Sequence, residues 1–246
     1  INPFGGAIVD PRSIPTDVEG ILEALDAATS RWKEELIKVV WLEVPNESFS
    51  GLSSILEKGF TFHHANENYA MLTMSLVPES FIPPYATHFV GVGGVVMNDD
   101  GEILVVSEKY RASGRGPSYK LPGGALIQGE HIKDAAVREI LEETGIQTQF
   151  DSLICFRHWH QYRYEKSDIY FVAKLRPLSS NISMQEEEIS ECLWMPVDKY
   201  LQNETIHSFN KSIVRAAVNN EGIRPVSMEG YEPNERYEFF MPSNMN

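Results

Sequence analysis

Apolar residues recur at Val18, Ile21, Leu22, Leu25, Ala28 and Trp32, the spacing of a helix with one buried face, and Ser13-Ile-Pro-Thr16-Asp17 supplies its cap and first turn. The pattern then shifts to short runs rich in β-branched and aromatic residues. Val39 to Val44 predicts a strand, Leu52 to Lys58 a helix, and Phe60 to His63 and Tyr69 to Leu76 a strand pair turning at Asn66-Glu-Asn68. Successive strand residues face opposite ways, so His63 and His64 read as packing residues rather than a ligand pair. Val77-Pro78-Glu79-Ser80 and Ile82-Pro83-Pro84 then interrupt the periodicity with a stiff, strand-averse joint. The joint separates a small α+β domain, residues 1–80, from a second domain, residues 85–220, with residues 221–246 left as a C-terminal tail. The second domain predicts strands at His88 to Met97, Glu102 to Ser107, Ser152 to His158, Ile169 to Leu175 and near Cys192 to Trp194, then a helix from Ile206 to Val218.

With 246 residues, 42% of them hydrophobic, the chain can bury a substantial core. Its 35 acidic residues against 21 basic ones give a formal charge of −14, which disfavours nucleic-acid backbones and anionic membranes as partners. No run approaches a membrane span. Two cysteines, Cys155 and Cys192, lack any zinc or redox motif and point to a reducing, cytoplasmic setting. The first residue is Ile1, so the natural start is expected upstream, and a nuclear or mitochondrial address stays open.

Candidate chemistry concentrates between Gly124 and Ile146, where Glu130, Arg138, Glu139, Glu142, Glu143 and Gly145 stand at set spacings around a short helix. At about 100° per residue, Glu142 and Glu143 fall roughly 60° and 40° to either side of Glu139. The three carboxylates therefore share one arc, while Val137, Ile140 and Leu141 are expected to face a core. Such hard oxygen donors suit Mg²⁺ or Mn²⁺. Gly123-Gly124 and Gly145 allow turns that a side chain would hinder, and Arg138 can hold one glutamate by a two-pronged hydrogen bond.

The same stretch is a full match to the Nudix box, and its nine constrained positions would agree by chance on the order of 10⁻¹⁰ per starting point. The resemblance extends over residues 4–218 through Trp41-Leu-Glu-Val-Pro, Gly59-Phe-Thr-Phe-His-His-Ala65, Lys166-Ser167-Asp168 and Glu188-Ile-Ser-Glu-Cys-Leu-Trp194. These segments are similar to the plant ADP-ribose and NADH-type Nudix hydrolases and to a vertebrate Nudix protein encoded antisense to a fibroblast growth factor. The resemblance implies an α/β fold: an α/β/α sandwich Nudix domain preceded by an α+β, acetyltransferase-like pre-Nudix domain. It also implies metal-dependent hydrolysis of a nucleoside diphosphate linked to another group, with metal held at Glu139, Glu142, Glu143 and Gly124.

For the base that takes the proton of the attacking water, Glu188 fits the subgroup's pattern and Glu139 is the alternative. Arg157, Lys166, Tyr162 and Gly124 are the candidate substrate contacts, against ordinary surface charge for the first two. Phe156, Trp159, Tyr162 and Tyr164 could stack on a base. Arg111-Ala-Ser-Gly-Arg-Gly116 fits an acyl-CoA-type pyrophosphate cradle but leads into the box rather than into a helix, and reads as a loop. Rival readings are an isoprenyl diphosphate or capped RNA as substrate, or a non-enzymatic binding module. The partner is expected to be a small-molecule diphosphate, and exposed strand edges are compatible with a homodimer.

Overall fold

The computed structural model describes residues 1–109, 118–232 and 234–242, and the chain divides into two compact units, Ile1–Thr87 and His88–Asn246. The first unit contains β1 (Gly6–Val9), α1 (Val18–Glu34), β2 (Val39–Pro45), α2 (Leu52–Glu57), β3 (Thr61–Ala65) and β4 (Tyr69–Ser75). Asp17 caps α1 by accepting from the Gly20 N–H at 2.8 Å, and Ile21 and Leu25 bury its inner stripe. The sheet runs β1-β2-β4-β3, and its core is built from Val40, Leu42, Val44, Ile55, Phe60 and Leu72. Strand β1, parallel to β2, is an addition to the sequence reading, because four residues carry no strong periodic signal.

His63 and His64 pack among aromatic rings as expected, but they do not face opposite ways. The β3/β4 register shifts between Phe62 and His64, a bulge that lets two consecutive side chains meet. Their Nδ1 atoms are 2.7 Å apart, His63 Nε2 lies 2.8 Å from the Pro83 carbonyl, and His64 Nε2 lies 3.3 Å from the Tyr69 hydroxyl. A carbonyl can only accept, so in the neutral pair His63 carries its hydrogen on Nε2, His64 donates from Nδ1, and the Tyr69 hydroxyl donates to His64. His64 also stacks on Tyr85 with centroids 4.3 Å apart. Burial, and then the charge His63 would carry, hold the His64 imidazole below its ordinary value, with Glu43 opposing.

The second unit contains β5 (His88–Val96), β6 (Glu102–Glu108), β7 (Gly123–Ala125), α3 (Ile132–Thr144), β8 (Thr148–Trp159), β9 (Ser167–Pro177), β10 (Ile189–Pro196), α4 (Val197–Gln202), α5 (Ser208–Asn219), β11 (Arg224–Val226) and β12 (Phe239–Met241). One sheet runs β7-β5-β9-β8 and a second pairs β6 with β10. Alternation along the strands feeds two cores. Val92, Val96, Ala173 and Leu175 pack with Ala135, Ala136 and Ile140 of α3, whereas Val95, Val172, Ile103 and Val105 pack with Tyr200, Ile213 and Val214 of α4 and α5. Helices on opposite faces of the strands make this an α/β/α sandwich.

The segment expected as a tail folds back onto this unit. Strand β11 pairs with β12, Ile223 bridges Leu153, and Phe240 joins the α3-side core. Its alternation is too short to show in the sequence, and the fold supplies the partners that hold it.

Candidate active site

The site forms where β7 meets α3. Strand β7 pairs with β5 through Gly91↔Ala125, Val92↔Gly124 and Gly93↔Gly123. A Cβ on Gly123, whose φ is +147°, would strike the Val92 carbonyl and the Gly93 backbone, and one on Gly124 would strike the Glu139 carboxylate. The two glycines thus let backbone and carboxylate approach where a side chain would keep them apart.

Helix α3 starts after His131, which makes no side-chain cap bond. The cap comes instead from Glu238, whose carboxylate accepts from the Ile132 N–H at 2.8 Å and the Lys133 N–H at 3.2 Å. The helix ends at Gly145, in the left-handed conformation with φ +71°.

The buried arc of α3 lies roughly 90° away from the expected one. Ala135, Ala136, Ile140, Glu143 and Thr144 are buried, whereas Leu141, expected in the core, is 44% exposed. That arc centres roughly 60° from Glu139 on the Glu143 side. The three carboxylates are therefore graded: Glu143 is buried, Glu139 half-buried and Glu142 exposed. The Gly123 N–H donates to Glu143 Oε2 at 3.0 Å, which offers the buried carboxylate one polar partner. Burial pushes the Glu143 carboxyl up to about 7, with Lys120 opposing and Glu139 and Glu108 adding to the rise. Burial also raises Glu139, against the pull of Arg138.

Arg138 gathers the remaining acids. Its Nε and Nη2 grip Glu130 at 2.7 and 2.9 Å, the two-pronged bond expected, and Nη1 reaches Glu139 at 2.8 Å and Glu142 at 3.0 Å. Nη2 also donates to the Ala125 carbonyl at 3.1 Å, tying α3 to β7. The Arg138 hydrogen bonds hold Glu130 below the usual carboxylate range. Among the described residues, no three His, Cys, Asp or Glu side chains are gathered into a ready-made cation cluster. Glu139 and Glu142 are turned onto Arg138. The donor chemistry still fits a hard divalent cation, because a buried carboxylate with a raised pKa and two flanking carboxylates gain from a positive charge at oxygen-donor distance.

Family models match this arrangement: one described as NUDIX domain spans residues 87–217, and one described as Nudix hydrolase domain spans residues 1–76. The chain belongs to the Nudix hydrolase family. It is 40% identical to Nudix hydrolase 8 of Arabidopsis thaliana over 205 residues, which cover 82% of this chain but 56% of that protein. Nudix hydrolase 2 of the same plant is 36% identical over 90% of this chain and 82% of its own. Nucleoside diphosphate-linked moiety X motif 6 of Xenopus laevis is 39% identical over 72% of this chain and 83% of its own. Among solved structures, a NUDIX hydrolase from Nitrosomonas europaea aligns with 55% of this chain and 90% of its own, at 23% identity and a TM-score of 0.47.

The other Nudix-domain candidates are distributed unevenly. Glu188 is exposed just before β10; its carbonyl accepts from the Lys109 N–H at 2.7 Å, and the next residue, Ile189, pairs with Glu108. Arg157 lies across from Tyr170, with its guanidinium 2.5 Å from the buried Asp168 and over the rings of Trp159 and Tyr170 at 5.1 and 5.4 Å. Its Nε is buried without a partner among the described residues. Lys166 is half-buried and closes the β8–β9 turn through backbone bonds with Tyr162 and Arg163. Tyr162 sits 5.5 Å from Trp159 and 6.0 Å from Phe89, so these rings form one aromatic wall. Phe156 is not part of it: one residue from Arg157 it faces the other side, against Phe171. His158 shares that other side, with Nε2 2.9 Å from His88 Nε2. The Arg111–Gly116 stretch lies outside the described residues.

Sequence reasoning missed Glu108, Lys120 and Tyr170, which come to the carboxylates from strands and a bridge rather than from the box. Tyr170 is the clearest case. A Cβ on Gly91, Gly93 or Gly123 would collide with its ring or hydroxyl, and burial with the nearby Glu143 and Glu139 charges holds its phenol well above the usual range. The glycine run Gly91-Val-Gly-Gly94 was the available signal, since strand glycines mark a close approach.

Proposed function

We propose that this chain hydrolyses the pyrophosphate bond of a nucleoside diphosphate joined to a second group, with ADP-ribose or NADH as its substrate and Mg²⁺ or Mn²⁺ as its cofactor. The observation that carries the reading is the graded set Glu139, Glu142 and Glu143, the first two held by Arg138 and the third by the Gly123 N–H, with Gly124 leaving room for the Glu139 carboxylate. A divalent cation bound to such carboxylates offsets charge on the phosphate oxygens and eases deprotonation of water.

The chain's own residues do the rest. Arg138 fixes the direction of Glu139 and sets the helix against β7. A carboxylate, Glu188 or Glu139, takes the proton from water as its oxygen attacks one phosphorus and the bridging P–O bond breaks towards the other phosphate. The wall of Trp159, Tyr162 and Phe89 offers a stacking surface for a planar base, and Arg157, paired with Asp168, brings a positive charge beside Trp159.

The test is a product-release assay with Mn²⁺ across ADP-ribose, NADH, diadenosine polyphosphates, CoA, an isoprenyl diphosphate and capped RNA. Comparable kcat/KM for ADP-ribose and NADH with AMP as product, loss of turnover in EDTA and return with Mn²⁺ are expected. A large preference for a diphosphate without a base, or full turnover in EDTA, would overturn the reading.

A further inference from the structure

A site that must hold a diphosphate beside Glu108, Glu130, Glu139, Glu142 and Glu143 needs a cation with donors to spare. Arg138 has none, because Nε, Nη1 and Nη2 are all engaged. Arg157 is held by Asp168 and by two aromatic rings, with its spare Nε–H buried, and the Lys109 ammonium, which reaches the Glu186 carbonyl, is not among the charges that act on Glu143. Lys120 differs. Its backbone is fixed by reciprocal bonds to Val106 at 2.8 and 2.9 Å, and three residues later Gly123 donates to Glu143. Its ammonium meets Glu108 Oε1 at 2.5 Å, which takes one of three N–H donors, and its side chain is 34% exposed.

We propose that Lys120 is a phosphate-binding residue of this site, which exchanges Glu108 for the substrate's diphosphate beside the α3 carboxylates. The proposal rests on the pyrophosphate reading above, but it concerns the diphosphate alone and not the groups attached to it. The Glu108–Lys120 pair is half-exposed on the carboxylate side, and such pairs are cheap to break. A diphosphate brings more negative charge than one carboxylate and several acceptor oxygens, so the ammonium gains by transferring to it. Lys120 is also the first of the charges acting on Glu143, ahead of Glu139 and Glu108, which places its field at the carboxylates rather than at a remote surface. Glu108 then acts as a parking partner that neutralises Lys120 until substrate arrives.

The experiment measures calorimetric binding of inorganic pyrophosphate to the full chain in the presence of Ca²⁺, alongside Ca²⁺ alone, for wild type, Lys120→Met, Lys120→Arg and Glu108→Gln. A lost hydrogen bond between charged groups corresponds to about 10- to 100-fold weaker pyrophosphate binding in Lys120→Met. Lys120→Arg should recover most of it, Ca²⁺ affinity should not fall, and Glu108→Gln, which frees the ammonium, should bind pyrophosphate as tightly as wild type or more so. A merely structural ion pair predicts the opposite pattern, with Lys120→Met and Glu108→Gln weakening binding alike. That result, pyrophosphate binding by Lys120→Met within about twofold of wild type, or no binding by wild type would each overturn the assignment. Failure of ADP-ribose and NADH hydrolysis with the pyrophosphate pattern intact would instead remove the nucleotide reading and leave Lys120 in place.

Discussion

Replacing Glu143 with Gln should make the metal-free protein more stable while removing its response to metal. Glu143 is 7% exposed, and its carboxyl rises from an ordinary 4.5 to about 7, chiefly through burial. At 1.36 kcal/mol per pKa unit, ionising it in the folded state costs on the order of 3 kcal/mol relative to the unfolded chain. The direction follows from proton counting. Between 4.5 and about 7 the folded state keeps a proton that the unfolded state has released, so stability falls as pH rises through that window and stays low above it. Gln has no charge to desolvate, and its carbonyl can still accept from the Gly123 N–H. In EDTA at about pH 8, Glu143→Gln should therefore exceed wild type by about 2–3 kcal/mol, and the gap should close towards about pH 5. Urea unfolding, with hydrogen exchange of the α3 amides to localise the effect, reads this directly. Added Mn²⁺ should stabilise wild type by mass action and leave the variant unmoved. A variant less stable than wild type at that alkaline pH, or a gap independent of pH, would refute the argument that this carboxylate is held at a cost which the cation offsets.

Three further outcomes are expected. Glu188→Gln should lower kcat by about 10² to 10⁴ with Mn²⁺ affinity nearly unchanged, whereas Glu142→Gln should weaken Mn²⁺ binding; wild-type turnover in Glu188→Gln would make Glu139 the base. Glu238→Ala should cost roughly 1–2 kcal/mol in thermal or urea unfolding, because two N-terminal amides of α3 lose a charged acceptor, and an unchanged midpoint would show that solvent caps the helix as well. The first unit should lose stability as pH falls below about 6.5, since the unfolded chain protonates His64 before the folded one does. Nitrogen NMR should find hydrogen on Nε2 of His63 and Nδ1 of His64; the reverse tautomers, or an identical pH dependence in His64→Gln, would count against this hydrogen-bond chain.

What the chain carries locally is legible in the order of its residues. Helix α1, strand β2, the β3–β4 turn, the turn between β5 and β6 and the box helix α3 each follow from periodicity, caps or turn residues within a few positions of one another. The Nudix box likewise needs one helix and one flanking turn, so spacing alone locates the three carboxylates, Arg138 and the glycines. Tertiary structure decides whatever depends on contacts distant in sequence. Which way α3 turns is one such matter, because burial of Glu143 rather than Leu141 follows from how Ala135, Ala136 and Ile140 seat under β5 and β9. The pairing of His63 with His64 is another, since a bulge has no signature in alternation. Glu238, more than a hundred residues from the helix it caps, and Glu108 and Lys120, placed beside Glu143 by β6 and its bridge, have no spacing to read. A motif records the residues one element presents to a point in space, and only the packed fold records what the other elements bring to that point.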